Sequence, residues 1–470
     1  MIKEFTRSKI NFTSILKKYI DMSLMVSVSG IRGIFGSDLH PENLVKYTAA
    51  FGTWAKKGKI VIGRDSRVTG KIVESIVVAT LQSVGCDVIT IGIAPTPTVA
   101  MSVLEHKASG GIIISASHNP AQWNALKLLN EKSEFLDASQ GNEVIRIANE
   151  KEYLFVDYKN IGKNEFDANA VQHHINAILA LPYIDADKIR SKKFSVALDA
   201  VNGAGSESIP ALLEALGVER IEKLHCTPNG LFPHNPEPLP EHLTEICALV
   251  PNVKADLGIV TDPDADRLAF VDNNGRFFGE EYTLAAVNDF YLGKNRGDIA
   301  VNLSSSMINE WVASKHGVQC FRSAVGEINV VKKMQAEKVV IGGEGNGGVI
   351  NPDLHYGRDA LVGVAMMLQF MAETNKSSSE IRSSYPDYFM GKFKAELGNI
   401  DAEKALASVK EIFKTEKIDT TDGVKINLID SWIHLRKSNT EPIIRIYTEA
   451  PSQKEADSLA TYVKKLLTQS

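Results

Sequence analysis

The segment TDPDADR, residues 261–267, puts Asp262, Asp264 and Asp266 at alternate positions. Alternate side chains on an extended backbone project to the same side, so these carboxylates can converge on one hard cation; without one they would repel each other. An EF-hand is excluded, because Arg267 stands where that loop needs glycine and Asn273 where its last ligand must be glutamate. A solvated acidic turn is the plain alternative. The apolar LGIV run ahead of the loop and Arg267 behind it favour metal.

A second polar loop follows a run of isoleucines in GGIIISASHNPAQWNALK, residues 110–127. Ser117 is not the nucleophile of a hydrolase elbow, which needs GxSxG. Its neighbour His118 is expected to aim elsewhere, since adjacent side chains generally diverge. The local reading is a helix N-cap, with Ser117 or Asn119 capping and Pro120 at the first helical position. There, amides and the helix dipole would stabilise a phosphate carried on Ser117.

Two further loops suit a sugar phosphate. GGEGNGG, residues 342–348, contains GxGxxG, but Asn351 and Pro352 interrupt any following helix and the ribose-binding acid is missing, so dinucleotide binding is disfavoured. Glu344 and Asn346 on a glycine loop can instead hydrogen-bond sugar hydroxyls, the alternative being a tight turn. RKSNTEP, residues 436–442, offers the Arg436 guanidinium with Ser438, Asn439 and Thr440, a set fit for phosphate or for an ordinary hairpin loop. No GxxxxGK[ST] occurs in the chain, which argues against a P-loop nucleotide enzyme.

The elements that must position these loops form a repeating pattern. Short β-branched runs open onto polar loops in KIVIGRDSR (59–67), IIISASHNP (112–120), SVALDAVNGAG (195–205), LGIVTDPDADR (257–267) and VVIGGEGNGG (339–348). Helix-like segments lie between them, and KIVESIVVATLQSVG, ESIPALLEALG and SMINEWVASKHG end at glycine, as a C-cap would. This alternation predicts sheets covered on both faces, with ligand sites beyond the carboxyl ends of the strands. The pattern fills 23–165, 166–272 and 273–386, which predicts three related mixed α/β domains. Over 387–470, the alternating GVKINLIDSWIHLRKSNTEPIIRIYTEA and the helical QKEADSLATYVKKLLTQ predict a smaller α+β domain. Residues 1–22 read as an N-terminal extension, either a loose helix or a stretch ahead of a start at Met22 or Met25, without a signal peptide's continuous apolar run.

With 470 residues, 44% hydrophobic and 23% charged, the composition is that of a folded globular protein. A net charge of −5 gives no electrostatic basis for a nucleic-acid or membrane-surface partner. The longest apolar stretch, LVGVAMMLQFM, is too short to span a bilayer and reads as a core helix. Cys86, Cys226, Cys247 and Cys320 are dispersed, without zinc-finger spacing or a disulfide framework, and read as reduced thiols of a cytoplasmic protein.

Taken together, SASHNP, DPDADR, GEGNGG and RKSNTEP, with SGIRG at 29–33, resemble in order and spacing the motifs of the α-D-phosphohexomutase family, which includes phosphoglucomutase, phosphomannomutase and phosphoglucosamine mutase. The resemblance covers about residues 25–450. It implies four domains around a central cleft, the last resembling a TATA-binding-protein fold. It also implies that Ser117 is phosphorylated and that Asp262, Asp264 and Asp266 hold Mg²⁺ together with an oxygen on Ser117. Arg32 and Arg267 would flank the reacting phosphate, and Lys127 would act as general acid and base. His118 and His355 would orient the phosphate or move a proton, and Glu344 and Asn346 would read the sugar. Arg436, Ser438, Asn439 and Thr440 would hold the phosphate that is not reacting.

The implied reaction interconverts hexose 6-phosphate and hexose 1-phosphate, with hexose 1,6-bisphosphate as intermediate and activator and a small phosphosugar as partner. The chain departs from the usual family pattern at Ala125, where glycine is common, at Asn346, where many members have serine, and at Gly348, where some have histidine. GEGNGG loops resemble those of archaeal and Bacteroidetes-type members often assigned as phosphoglucosamine mutases. Glucosamine phosphate is therefore the expected substrate, with mannose and glucose phosphates as alternatives. A phosphosugar phosphatase and a non-catalytic sugar-phosphate sensor are the other classes the same loops allow.

Overall fold

The computed structural model describes residues 24–27, 30–397, 401–437 and 443–468, and in it the β-branched runs become strands. The first sheet holds β1 (Met25–Ser27), β2 (Gly30–Ile34), β3 (Ile60–Arg64), β4 (Val88–Ile93), β5 (Gly110–Ile114), β6 (Trp123–Leu129) and β7 (Asn164–Phe166), in the order β1-β2-β6-β5-β3-β4-β7. All of β5 is buried, which is why three successive isoleucines are accommodated: both faces of the sheet are covered. Strand β7 pairs with β4, so this sheet reaches Phe166, one residue past the expected junction at 165.

The second sheet holds β8 (Ser195–Asp199), β9 (Arg220–Leu224), β10 (Leu257–Thr261) and β11 (Leu268–Asp272), in the order β11-β10-β8-β9. The third holds β12 (Ile299–Asn302), β13 (Cys320–Ser323), β14 (Ile341–Glu344) and β15 (Gly348–Ile350), in the order β15-β14-β12-β13. Both repeat the β6-β5-β3-β4 part of the first sheet, three parallel strands followed by one antiparallel strand. The three domains are thus one topology used three times. The Ser117, Asp262–Asp266 and Glu344–Asn346 loops are the same turn in each, the one leading from the last parallel strand into its antiparallel neighbour.

That turn overturns the helix expected to start at Pro120. The chain re-enters the sheet as β6, with Lys127 opposite Ile113 of β5 and Leu126 opposite Ile31 of β2. Inserted between two strands, WNALKLL satisfies its backbone groups on both edges, a long-range gain that a local capping signal cannot report. Lys127 accordingly lies on a buried strand rather than in a loop.

The fourth sheet is wholly antiparallel: β16 (Phe389–Glu396), β17 (Lys417–Asp419), β18 (Val424–Asn427), β19 (Trp432–Lys437) and β20 (Ile443–Ala450), in the order β16-β20-β19-β18-β17. Helix Gln453–Thr468 packs on β16 and β20. The expected core helix is Ala360–Thr374, buried without interruption from Ala360 to Gln369. With helix Glu280–Leu292 it joins the second and third domains into one apolar core, while the first and fourth keep their own. Among the described residues no helix is long and apolar enough to cross a membrane, and the four cysteines are unpaired.

Candidate active site

Ser117 has φ +50°, a left-handed conformation uncommon for a residue with a side chain. A buried arginine holds the loop there. Arg67 donates from Nη2 to the carbonyls of Ser117 (2.6 Å) and Asn119 (2.7 Å), and from Nη1 to those of Pro120 (2.7 Å) and Trp123 (3.0 Å). Its Nε pairs with Asp65 Oδ2 at 3.0 Å, and that oxygen also accepts from Ser115 Oγ at 2.7 Å. Arg67 therefore does for this turn what a helix cap was expected to do. Its only sequence signal was the polar RDSR after the run KIVI, to which no chemistry attached. The adjacent side chains of Ser117 and His118 converge rather than diverge, with Oγ 3.3 Å from Nδ1.

Ser117 Oγ donates to Asp262 Oδ2 at 2.7 Å. Asp262, Asp264 and Asp266 are fully buried, and their ligand oxygens all lie within 4.8 Å of one another. Asp264 Oδ2 accepts from Thr96 Oγ1 at 2.7 Å and Lys127 Nζ at 2.6 Å, and Asp266 Oδ2 from Arg358 Nη2 at 2.7 Å. Burial and the charges of Asp266 and Asp264 push the Asp262 carboxyl well above the usual range. Burial is the largest single influence on Asp264 and Asp266 and opposes their ionisation, but Lys127 with Thr96 at Asp264, and Arg358 with Lys127 and Arg267 at Asp266, together hold both low. Burial would strip the Lys127 proton, and the two carboxylates keep it on. Asp264 Oδ1 and Asp266 Oδ1 are buried without a hydrogen-bond partner. An all-oxygen donor set with orphaned carboxylate oxygens fits a hard dication such as Mg²⁺.

Ser117 and Lys127, which touch these aspartates, open onto a cleft of about 540 Å³. Arg32, Ser117, His118 and Lys127 line it from the first domain, Arg267 from the second, and Glu344 and Asn346 from the third. Arg32 Nη1 donates to Asn119 Oδ1 at 2.8 Å, and Arg267 Nη1 pairs with Glu237 Oε1 at 3.2 Å. Burial and the neighbouring Arg267 push the His118 imidazole down to about 3, so it is neutral at neutral pH. Glu344 accepts from Asn302 Nδ2 at 2.9 Å, the Gly326 amide at 3.0 Å and Arg358 Nη1 at 3.1 Å. Glu327, also in the lining, pairs with Arg358 Nε at 2.9 Å. A wider hollow of about 700 Å³ on the fourth domain, beside Ile429 and Tyr462, contains none of these groups.

Besides the three aspartates, which lie beneath Ser117 and Lys127, His355 and Arg436 lie outside the lining. His355 is buried with Nε2 3.4 Å from Asp359 Oδ2. Arg436 pairs with Asp422 at 2.8 Å, and Asp422 accepts from the Val325 amide on the cleft wall at 2.9 Å. Ser438, Asn439, Thr440 and Ser29 lie outside the described residues, as do residues 1–22. Sequence reasoning missed Arg67, Thr96, Asn302, Glu327 and Arg358. Of these, Arg358 in HYGRD stood closest to a site residue already singled out, His355.

Comparison with known proteins bears on the chain as a whole. Residues 24–154, 172–275, 279–388 and 395–466 match, in order, the α/β/α domains I, II and III and the C-terminal domain of phosphoglucomutase/phosphomannomutase. A phosphoglucomutase/phosphomannomutase of Thermococcus kodakarensis is 36% identical over 93% of this chain and 96% of its own length. A phosphoglucosamine/phosphogalactosamine mutase of Sulfurisphaera tokodaii is 32% identical over 95% and 99%. Among solved structures, a phosphoglucomutase/phosphomannomutase family protein of Burkholderia thailandensis shares the fold with a TM-score of 0.81 at 22% identity, covering 94% of this chain and 98% of that one. An N-acetylphosphoglucosamine mutase of Aspergillus fumigatus, solved with GlcNAc-6P and magnesium, aligns with a TM-score of 0.57 at 15% identity over 97% and 99%. With all four domains matched along the chain, the protein belongs to the phosphoglucomutase/phosphomannomutase, or α-D-phosphohexomutase, family and is an enzyme of the mutase class.

Proposed function

We propose that the protein interconverts hexose 6-phosphate and hexose 1-phosphate with Ser117 as the phosphoryl carrier. One contact carries the reading: Ser117 Oγ meets Asp262 Oδ2 at 2.7 Å. A hydroxyl able to bear phosphate thus stands against carboxylates able to hold a cation, in a cleft that Glu344 and Asn346 also line. Asp262, Asp264 and Asp266, with an oxygen on Ser117, would hold Mg²⁺, as the magnesium in the fungal relative supports. When bound, Mg²⁺ offsets the negative charge of the group in transfer.

In the forward half, the bond from phosphorus to Ser117 Oγ breaks as one to the sugar hydroxyl oxygen forms, and that hydroxyl loses its proton. The bisphosphorylated sugar turns over in the cleft and returns its other phosphate to Ser117. Hexose 1,6-bisphosphate therefore also serves as activator. Asp264 and Asp266 keep Lys127 protonated as they stand; a cation drawing on the same carboxylates would loosen that hold, and Lys127 Nζ would then take up and return the proton. Arg32 and Arg267 face the reacting phosphate, and neutral His118 orients it. His355 supports the site from beside Asp359. Arg436, with Ser438, Asn439 and Thr440, would hold the other phosphate. The division into 23–165, 166–272, 273–386 and 387–470 and a cytoplasmic location complete the reading.

Glucosamine phosphate is the proposed substrate. The Sulfurisphaera tokodaii relative named above supports it, and Glu327 beside Glu344 in the lining offers acceptors for an amino sugar's ammonium group. The Thermococcus kodakarensis relative keeps mannose and glucose phosphates as the second reading. The 1- and 6-phosphates of glucosamine, mannose and glucose, assayed with catalytic bisphosphate and Mg²⁺, should show glucosamine phosphate converted fastest. Interconversion of none of them would sink the mutase reading, and phosphate release outpacing isomerisation would make the protein a phosphatase. Mass spectrometry should find one phosphate, on Ser117. Its absence, with function intact in Ser117→Ala, would point to a sensor.

A further inference from the structure

Away from the cleft, three metal-ligating side chains converge at the carboxyl end of the second sheet. Asp199 ends β8, His225 follows β9, and His234 lies in the loop beyond; their ligand atoms all lie within 4.8 Å of one another. His234 Nε2 is 3.0 Å from Asp199 Oδ2, and its Nδ1 is 2.8 Å from the Asn235 carbonyl oxygen. His225 Nε2 is 3.1 Å from Glu245 Oε2. A carbonyl only accepts, so Nδ1 of His234 carries a proton, and Nε2 then faces a carboxylate that also only accepts. That contact requires a proton or a cation between the two atoms.

A tetrahedral ion with bonds of about 2.0–2.1 Å separates its ligand atoms by roughly 3.3 Å, close to the 3.0 Å between His234 Nε2 and Asp199 Oδ2. The Nδ1–H to carbonyl contact is the kind that orients a metal-bound imidazole. Cys226 takes no part, since its Sγ faces the carbonyls of Leu198 and Leu224.

We propose that Asp199, His225 and His234 form a site for a transition-metal dication of the Zn²⁺ type, with the fourth position left to water and Glu245 as a partner of His225 outside the ligand set. It is separate from the aspartates of the cleft, and its imidazole donors select against Mg²⁺. The ion ties down a loop that braces the active site. The Phe232 ring lies 5.0 Å from the Arg67 guanidinium, and Glu237 pairs with Arg267 at 3.2 Å.

Equilibrium dialysis of the full-length protein against Zn²⁺ in excess Mg²⁺ is expected to leave one Zn²⁺ per chain, and Co²⁺ in its place should give the intense visible bands of a tetrahedral site. His225→Ala and His234→Ala should each weaken Zn²⁺ binding by more than about 100-fold, beyond the loss typical of an outer-shell partner. Glu245→Ala, at a side chain 69% exposed and so harmless to folding, should weaken it by about 10-fold. Zn²⁺ retained undiminished by the His225→Ala/His234→Ala protein would place the ion elsewhere and overturn the site. No retention by the unmodified protein, or an octahedral Co²⁺ spectrum, would also overturn it and leave His234 as the imidazolium of an ion pair.

Discussion

Arg358 of the third domain donates from Nη2 to Asp266 Oδ2 of the second at 2.7 Å. The same guanidinium reaches Glu344 at 3.1 Å and Glu327 at 2.9 Å, so one buried charge ties the aspartate loop to the proposed sugar loop. A lysine ammonium is a single point and cannot span three carboxylates. Arg358→Lys is expected to cut kcat/KM by about 100-fold, corresponding to about 2.7 kcal/mol of transition-state stabilisation. Steady-state kinetics on the preferred hexose phosphate checks this.

Arg67 is the scaffold of the Ser117 turn. Arg67→Met removes four donated hydrogen bonds and leaves Asp65 buried without its charge partner. Removal of one partner from a buried pair costs about 3–5 kcal/mol. Denaturant unfolding should show a loss in that range. Phosphate on Ser117 should fall with it, because the left-handed turn is no longer held.

Thr96 reaches Asp264 from the first domain, with Oγ1 to Oδ2 at 2.7 Å. Thr96→Val keeps the shape and deletes a hydrogen bond to a charged acceptor, worth about 1.5–3 kcal/mol. The expected effect is a 10- to 100-fold rise in the Mg²⁺ concentration needed for half-maximal activity, the range for an outer-shell partner. Magnesium titration after chelator treatment measures it. An unchanged midpoint would separate Thr96 from the proposed metal loop.

Lys425 gives the fourth domain's docking a pH dependence. Its side chain is buried with Nζ 2.6 Å from the Leu303 carbonyl and 4.2 Å from the Trp432 ring centre, and burial pushes its pKa down from 10.5 to about 7. Between these values the unfolded chain binds more protons than the folded one, so the Lys425 contribution to stability rises as pH climbs from about 7 to 10.5. Lys425→Met should flatten that rise. The difference between the two proteins' unfolding midpoints across this window, read by calorimetry, isolates the lysine from other titrating groups.

Several features were legible in the sequence because they are local. Alternate aspartates in TDPDADR, the glycine-rich GGEGNGG turn and the β-branched runs each state their chemistry within a few residues. The sequence placed Asp262, Asp264 and Asp266 together, but not for the reason spacing suggested: the segment is a turn with Ala265 at φ +50°, not an extended chain. What only the tertiary structure decided depends on partners far apart in the chain. The segment after SASHNP became a strand rather than a helix because β2 and β5 were both there to pair with it. Arg67 meets Ser117 across 50 residues, Arg358 meets Asp266 across 92, and Lys127 meets Asp264 across 137. Asp199, His225 and His234 show no ligand spacing along the chain, and the ends of β8 and β9 with the loop beyond bring them together. A local pattern records how a segment can fold, whereas a buried charge is satisfied only by the partner that the packing of the sheets delivers.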